Sequence, residues 1–360
     1  MLFMKQGIQV AVVGATGAVG KQLLAILSER KFPVRKLLLF SSSRSEGKVI
    51  GWNGEKITCQ VLKPGCFKDV QIVFFDASDA VSQEWVPHAV ESGSWVIDNS
   101  ATFRMDDQIP LLVPEVNGHL LDEKLDQART SRLAPKQRIL AGPNCSTVQL
   151  VVALKPILNH WGIKRVVVST YQSTSGAGAA AMDELSEQTQ NVLNQKPASP
   201  QIFAHNIAFN CIPQIGGFKG DGYTSEEQKI MAESQKILNR PELRISATAV
   251  RVPTYLSHAE SVNVECEKSF SLHEVREVLS HSPGIIVQDD PQNQIYPMGN
   301  PLGSNKVESA SGRDAVYVGR IRKDPSTESG LNFWVVSDNL RKGAALNAVQ
   351  IGEKLLQIFQ

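Results

Sequence analysis

The stretch VAVVGATGAVG near the start of the chain constrains the fold more than any other feature. It places Gly14, Gly17 and Gly20 at G-x-x-G-x-x-G spacing, between an apolar run and a segment with helical spacing. Glycines allow a sharp turn and a close backbone approach to a phosphate, and a helix start offers free N–H groups. The spacing departs from G-x-G-x-x-G, so a plain tight turn is the alternative. The position of the loop after a first strand favours a nucleotide site. The loop residues expected to contact it are Gly14, Thr16, Gly17, Ala18 and Val19.

Short apolar runs alternate with amphipathic segments over the first 140 residues. The runs include IQVAVVG, KLLLF, VQIVFF and SWVIDNS, each bounded by turn residues. Continuous apolar strands separated by helical segments are typical of a parallel sheet covered on both faces. The pattern predicts an α/β, doubly wound Rossmann-type domain.

The pattern changes after residue 144. Runs such as IKRVVVSTYQS and HAESVNVECE alternate apolar and polar residues, which predicts a second, α+β domain with one sheet face free for another subunit. We expect a dinucleotide-binding domain over 1–143 and a catalytic and dimerisation domain over 144–336. A C-terminal helix over 337–360 is expected to return to the first domain. A homodimer is favoured, and a tetramer remains open.

Charge and cysteine content exclude several classes of protein. The 37 Lys and Arg residues nearly balance 36 Asp and Glu residues, so no basic excess points to nucleic acid. No run of about 18 apolar residues occurs, and the first residues lead directly into the glycine loop, so we expect neither a membrane span nor a cleaved signal. The five cysteines form no C-x-x-C pair, and their odd number is a poor disulfide framework. A cytoplasmic protein acting on a small molecule is the expectation.

The end of the second predicted strand distinguishes between nicotinamide cofactors. An NAD site would carry an acidic residue there to bind the ribose 2′-hydroxyl, whereas this chain offers Ser42, Arg44 and Ser45. Arginine and hydroxyl groups suit a 2′-phosphate, so NADP is predicted. A polar loop with an ordinary arginine, close to Glu46, is the alternative.

Cys145 follows Gly-Pro-Asn and precedes an apolar run that could open a helix. A thiolate is stabilised near a helix N-terminus, although a lone cysteine is more often a packing residue. STYQSTSGAG follows downstream, and RVPTYLSHAES contributes Arg251 and His258. A thiol, an imidazole and a cation are the parts of covalent acyl chemistry. The sequence therefore favours Cys145 as a nucleophile.

The chain resembles the aspartate-β-semialdehyde dehydrogenase family over nearly its whole length. The resemblance rests on GATGAVG, DNSATFRM, PEVN, GPNCST, YQSTSGAG, RVPTYLSHAES and SDNLRKGAALNA, in that order. It implies NADPH-dependent reduction of aspartyl phosphate to aspartate semialdehyde, with release of phosphate, in lysine, methionine, threonine and diaminopimelate biosynthesis.

The resemblance also implies residue roles. Cys145 matches the nucleophile, His258 the acid/base group and Gln172 the residue that orients the acyl group. Substrate binding is implied for Arg104, Asn144 and Lys229 at the phosphate, Arg251 at the α-carboxylate and Glu226 at the α-ammonium group. The choice of Glu226 over Glu227 rests on its spacing from Lys229.

The remaining implied contacts are to the cofactor. Ser175 and Gly176 would flank the nicotinamide, and Asn339 takes a position where some family members have Gln. The other histidines show no metal-ligand spacing, and no cysteine lies in a zinc pattern, so no metal is predicted.

Two rival functions remain. N-acetyl-γ-glutamyl-phosphate reductase shares the thioester chemistry, but its N-acylated substrate has no ammonium group for Glu226 to bind. A catalytically inactive NADP-binding scaffold is the other. The joint presence of Cys145, Gln172 and His258 argues against it.

Overall fold

The computed structural model describes residues 7–130, 133–300 and 307–359. The chain forms two compact units. One runs to Asn144 and resumes at Ala344, and the other spans Cys145–Gly343. The functional domain limits expected from the sequence, at 143/144 and 336/337, stay a prediction.

The strands, numbered in chain order, are β1 (Ile8–Val13), β2 (Val34–Phe40), β3 (Val49–Trp52), β4 (Glu55–Thr58), β5 (Ile72–Phe75), β6 (Trp95–Asp98), β7 (Ile139–Ala141), β8 (Arg165–Gln172), β9 (Arg244–Arg251), β10 (His258–Glu265), β11 (Ile285–Val287), β12 (Val316–Asp324) and β13 (Gly330–Ser337). The helices are α1 (Ala18–Glu29), α2 (Asp79–Glu91), α3 (Pro114–Asn117), α4 (His119–Thr130), α5 (Cys145–Trp161), α6 (Ala179–Leu193), α7 (Ser225–Leu238), α8 (Leu272–Ser280) and α9 (Leu346–Leu355). None of the helices in the described ranges is long and apolar enough to cross a membrane.

A five-stranded parallel sheet, in the order β2-β1-β5-β6-β7, forms the centre of the first unit. Strands β5, β6 and β7 are buried at every residue, as expected for a parallel sheet with both faces covered. The predicted doubly wound domain is confirmed.

The last helix, α9, belongs to this same core. Leu346, Val349 and Leu355 are fully buried and cluster with Leu23 of α1 and Phe74 of β5. Most of α9 is buried, and only Gln350, Glu353 and Lys354 are half-buried, so the helix is covered on most of its surface.

A six-stranded mixed sheet, in the order β11-β12-β13-β10-β8-β9, forms the second unit. Its central pairs, β13 with β10 and β10 with β8, are antiparallel, and β8 pairs with β9 in parallel. Strand β10 alternates strictly between buried and half-buried residues, so one face enters a core. The predicted α+β character of this unit is confirmed, because helices α6, α7 and α8 accompany the sheet.

Candidate active site

The glycine loop of the first unit joins β1 to α1. Gly14 has a φ of +89°, and a Cβ there would lie 2.0 Å from the backbone oxygen of Asp76. A Cβ at Gly20 would lie 2.3 Å from the Gly14 oxygen. The turn and the close packing of α1 on the loop therefore admit no side chain at either position.

The start of α1 is open to a ligand. Gly17 is the N-cap and is exposed, and no side chain caps the helix there. Thr16, Ala18 and Val19 around it are half-buried. Uncapped N–H groups at a helix start are suited to a phosphate, so the loop fits the diphosphate of a dinucleotide.

The turn that follows β2 carries the residues expected to choose the cofactor. Ser42 precedes a short 3-10 turn over Ser43–Ser45, which the Ser45 N–H closes by donating to the Ser42 oxygen over 2.8 Å. Arg44 is exposed, as is Glu46 after it. A hydrogen bond joins the glycine loop to the end of β2, since the Gly14 N–H donates to the Phe40 oxygen at 2.9 Å. The preference for NADP stays a prediction.

Arg104 and Asn144, two of the residues expected at the substrate phosphate, belong to the first unit and are both buried. Arg104 Nη2 donates to the Asn99 backbone oxygen at 2.6 Å. Burial raises the pKa of Asp98. Hydrogen bonds from Ser100 and Ser82, and the positive charge of Arg104, oppose that rise. Arg104 is thus a buried cation held in a defined position.

In the second unit, four polar side chains form one row across four adjacent strands. Gln172, the last residue of β8, pairs in register with His258 of β10 on one side and Arg251 of β9 on the other. His258 in turn pairs with Ser337 of β13. All four are buried on the core face of the sheet. Three predicted site residues are therefore neighbours, although Gln172 and His258 lie 86 positions apart in the sequence.

Cys145 is the first residue of α5, where the helix start favours a thiolate electrostatically. Its side chain is half-buried. A thiolate at Cys145 is close enough to Arg251 to raise the pKa of the Arg251 guanidinium through charge attraction. Gly343 packs against Cys145, and a Cβ at Gly343 would lie 2.9 Å from the Cys145 Cβ.

His258 is fully buried, and its Nδ1 accepts a hydrogen bond from the Ser173 backbone N–H at 3.1 Å. A neutral ring that accepts at Nδ1 carries its proton on Nε2, and the described residues offer Nε2 no hydrogen-bond partner. Burial first, and then the Arg251 charge, lower the pKa of His258 to about 3, while the Ser257 backbone opposes the shift without meeting hydrogen-bond geometry. The ring is therefore a neutral donor aimed into the site.

The two adjacent glutamates of α7 have different partners. Glu226 Oε1 accepts from Gln172 Nε2 at 3.1 Å, and its Oε2 lies 3.8 Å from Lys229 Nζ. Glu227 caps the helix, accepting from Thr224 N–H at 2.6 Å and from Ala249 N–H at 2.9 Å. Both oxygens of Glu227 are thus engaged by backbone donors, whereas Glu226 joins Gln172 in the row.

Arg251 is buried and directed inward. Its Nη1 donates to the Ser173 oxygen at 2.6 Å. Burial lowers the pKa of Arg251, and the negative charges of Cys145 and Glu226 oppose the shift. A Cβ at Gly176 would lie 2.9 Å from Arg251 Nη1 and 3.1 Å from His258 Nε2, so Gly176 leaves room for both groups.

Ser175, Gly176 and Asn339, the residues expected beside the nicotinamide, also belong to the second unit. Ser175 Oγ donates to Asn339 Oδ1 at 3.1 Å, and Asn339 Oδ1 also accepts from the Ser257 N–H at 3.0 Å. The Asn339 amide thus holds two loops together. Its contact with a nicotinamide stays a prediction.

Two residues at the site received no role from the sequence. Ser173 orients both His258 and Arg251 through its backbone, and Gly343 gives Cys145 its space. Both lie inside motifs that carry the family resemblance, YQSTSGAG and SDNLRKGAALNA, so their position was a readable signal. Across the described ranges, no group of three or more His, Cys, Asp or Glu side chains could hold a metal ion.

Comparison with known proteins identifies the family of the chain. The family model for the semialdehyde dehydrogenase NAD binding domain matches residues 9–124, and the model for the semialdehyde dehydrogenase dimerisation domain matches residues 154–342. An aspartate-semialdehyde dehydrogenase of Aquifex aeolicus (strain VF5) is 49% identical over 353 residues, which is 98% of each chain.

Solved structures give the same result. The chain is similar to aspartate semialdehyde dehydrogenase II of Vibrio cholerae complexed with ASA, with a TM-score of 0.89 and 45% identity over 98% of this chain and 99% of that one. The Candida albicans enzyme with NADP matches with a TM-score of 0.73 and 25% identity over 98% and 99% of the two chains. The chain is therefore an oxidoreductase with an NAD(P)-binding domain, and it belongs to the aspartate-semialdehyde dehydrogenase family.

Proposed function

We propose that this chain catalyses the reversible, NADPH-dependent conversion of L-aspartyl 4-phosphate to L-aspartate 4-semialdehyde and phosphate, through a thioester on Cys145. The observation that carries the proposal is the row of Arg251, Gln172 and His258, with Cys145 at the start of α5. The names of the relatives at 42–49% identity support this substrate, and through it a place in lysine, methionine and threonine biosynthesis.

The chemistry begins with attack of the Cys145 thiolate on the acyl carbon. A C–S bond forms, the bond from carbon to the phosphate oxygen breaks, and phosphate leaves with that electron pair and takes up one proton from solvent. NADPH, when bound, supplies the hydride that reduces the thioester carbon. Collapse of the resulting thiohemiacetal breaks the C–S bond, returns the electron pair to Cys145 and releases the aldehyde.

His258 acts in this scheme as a donor. Its Nε2–H can stabilise the negative charge that develops on the acyl oxygen in both tetrahedral intermediates. A base at His258 would need a free Nε2 lone pair, whereas the Ser173 N–H keeps the proton on that nitrogen. We therefore assign hydrogen-bond donation to His258 and stabilisation of the thiolate to the helix start and Arg251.

The substrate's amino-acid end meets three side chains of the second unit. Arg251 suits the α-carboxylate because its guanidinium can bind it through two parallel hydrogen bonds. Glu226 suits the α-ammonium group, and Gln172, already bonded to Glu226, would orient the acyl group. The assignment of Arg104, Asn144 and Lys229 to the substrate phosphate rests on the family resemblance.

We propose NADP as the cofactor, bound at the glycine loop with its 2′-phosphate at Ser42, Arg44 and Ser45. An NADP-bound relative supports the cofactor class, and the lack of an acidic residue in the turn directly after β2 supports the phosphate over a free ribose. No disulfide joins any two cysteines of the described residues, and this, together with the metabolic role, favours a cytoplasmic enzyme.

We propose a homodimer formed through the outer face of the six-stranded sheet. That face carries a groove of about 890 Å³, lined among others by Tyr171, Ala259, Trp334 and Val336. The description of the matching family model as a dimerisation domain supports a second copy as the occupant. Sedimentation should give twice the chain mass. A monomer would contradict the proposal, and a tetramer would require a second interface.

The decisive experiment measures reduction of NADP by the purified enzyme with aspartate semialdehyde, with and without inorganic phosphate. We expect phosphate-dependent turnover, and Cys145→Ala should lower it by more than about 100-fold while NADP binding persists. N-acetylglutamate semialdehyde in a parallel assay tests the nearest rival. Turnover of that substrate alone would overturn the proposal, and the absence of turnover with either would favour an inactive scaffold.

A second experiment distinguishes the binding roles of Arg104 and Arg251. Arg104→Ala should raise the KM for phosphate more than that for the semialdehyde, and Arg251→Ala should do the reverse. A loss of about 2–5 kcal/mol in transition-state stabilisation is expected for each. If both variants show the same phosphate defect, the residue roles are wrong even where the reaction is right.

A further inference from the structure

Phe203 lies against the arginine proposed to bind the substrate's α-carboxylate. The Arg251 guanidinium carbon lies 5.8 Å from the centre of the Phe203 ring, within cation–π distance. Phe203 lies in residues 194–212, between α6 and the short pairing of Ile212 with Arg251; we name this segment the covering loop. The sequence assigned Phe203 no role.

The covering loop is held to α6 by buried polar side chains. Gln188 Oε1 accepts from the N–H groups of Ile207 and Ala208 at 2.8 and 3.2 Å. Glu184, which accepts from Gln188 Nε2 at 2.8 Å, also accepts from the Ile202 N–H. Both side chains are buried, so the bonds are shielded from water and fix the loop on both sides of Phe203.

The loop also ends on Arg251 itself. Ile212 N–H donates to the Arg251 oxygen at 2.9 Å, and Arg251 N–H donates to the Ile212 oxygen at 2.8 Å. Phe203 packs on an apolar cluster of Leu185, Ile207, Ala208 and Ile212. One segment therefore pairs with the Arg251 backbone and places an aromatic ring on its side chain.

We infer that Phe203 is a positioning residue for Arg251 and forms one wall of the pocket for the substrate's α-carboxylate. The inference rests on the proposed function, because it takes the α-carboxylate as the partner of Arg251. The ring forms a wall on one side of the guanidinium, whose other N–H groups can meet a carboxylate. It also keeps water from the ion pair, which strengthens the attraction between the two charges. The Ser173 oxygen holds Nη1, so ring and carbonyl together restrict the guanidinium to one orientation.

The test is a split between two Michaelis constants in the oxidative direction. Phe203→Leu should raise the KM for aspartate semialdehyde about 3- to 20-fold, the range expected for a partly desolvated cation–π contact, and leave the KM for phosphate within about twofold. Phe203→Tyr keeps a ring and should restore the value.

Phe270→Leu is the matched control. Phe270 also faces a cation, Lys323, with its Nζ 5.9 Å from the ring centre, and it packs on Trp161, which has no role in the site. It should change neither constant. An unchanged semialdehyde KM in Phe203→Leu, or an equal rise in both constants, would overturn the inference.

An activity-independent measurement separates this inference from the proposed function. Phenylglyoxal modifies accessible arginines, and mass spectrometry can follow the Arg251 peptide. We expect slow modification in the wild type and in Phe203→Tyr, and faster modification in Phe203→Leu at an unchanged melting temperature. Equal rates would overturn the role of Phe203. If the wild type does not turn over the semialdehyde, the proposed function fails, and this labelling still decides whether Phe203 covers Arg251.

Discussion

The backbone N–H of Ser173 donates to His258 Nδ1 over 3.1 Å, at the point where β8 ends beside the start of β10. A backbone donor cannot reverse its direction. The bond therefore fixes the tautomer of the ring, and burial keeps the ring neutral.

His258 should remain neutral with its proton on Nε2 throughout the physiological range. Its pKa is about 3, so ¹⁵N NMR of histidine-labelled enzyme should show one unchanging Nε2–H pattern between pH 5 and 8. His281, whose side chain is 78% exposed, provides a reference resonance. A His258 titration midpoint between 6 and 7 would contradict this and return the ring to the role of a general base.

Gly343→Ala should impair the nucleophile without unfolding the unit. The added methyl would lie 2.9 Å from the Cys145 Cβ, which belongs to the rigid start of α5 and cannot turn aside. We expect turnover and the rate of Cys145 alkylation to fall together by about tenfold or more, the cost of displacing a reacting atom slightly. Gly220→Ala, where a Cβ meets nothing within 4 Å, is the control. Normal alkylation in Gly343→Ala would show that the contact is relieved elsewhere.

Substitution of the two adjacent glutamates of α7 should have different effects, one on substrate binding and the other on stability. Glu226→Gln should reduce transition-state stabilisation by about 2–5 kcal/mol, because a substrate ammonium would lose its charged partner. Its melting temperature should stay near that of the wild type. Glu227→Gln should lower the free energy of unfolding by about 1–3 kcal/mol, because it weakens a helix cap and a buried hydrogen bond to the Ala249 N–H. If Glu226→Gln instead lowered the stability and Glu227→Gln lowered the activity, the two proposed roles would be reversed.

Glu260, fully buried two residues after His258, should make stability depend on pH. Burial raises the pKa of its carboxyl to about 8, and the Gln149 side chain opposes the shift without meeting hydrogen-bond geometry. Between pH 4.5 and 8 the folded state holds a proton that the unfolded chain releases. Its stability therefore falls as pH rises through this window.

Glu260→Gln removes that proton linkage and keeps the shape of the protonated acid. The wild type and the variant should have similar free energies of unfolding at pH 4.5. At pH 7.5 the free energy of unfolding of the variant should exceed that of the wild type by on the order of 3 kcal/mol. Other titrating groups contribute equally to both proteins, so the difference isolates Glu260. A constant difference across pH would show that the carboxyl is ionised in the fold.

Arg44→Ala should weaken NADP more than NAD. The Arg44 side chain is exposed in the turn after β2 and is free to meet a 2′-phosphate, which NAD lacks. We expect an affinity loss of about 10- to 100-fold for NADP and little change for NAD, measured by fluorescence titration. A Lys48→Ala variant in the same loop region controls for general charge. Equal losses for both cofactors would show that Arg44 does not contact the 2′-phosphate.

Local patterns in the sequence predicted the elements of the fold. The apolar runs of β1 and β5, the glycine loop and the alternation in β10 each depend on residues close in sequence. The Thr224-x-x-Glu227 capping box is also local, and it assigns Glu227 to the start of α7.

Contacts between distant segments could not be predicted in this way. The position of His258 beside Gln172 depends on strand register, which is set by packing of the whole sheet. The contact of Gly343 with Cys145 spans nearly 200 residues, and neither local sequence contains it. The ring of Phe203 meets Arg251 only because buried bonds to α6 shape the loop between them.

The row of side chains across β9, β8, β10 and β13 forms only when these strands pair in the correct register, so enzyme activity depends on that register. A one-residue slip of β10 would put Ala259 opposite Gln172 and turn the His258 ring to the outer face. Such a molecule would keep its β content although Val262 and Val264 would leave the core, and far-ultraviolet circular dichroism would count it as folded. In a refolded preparation, turnover per molecule should therefore measure the fraction of chains whose second sheet has closed in the correct register.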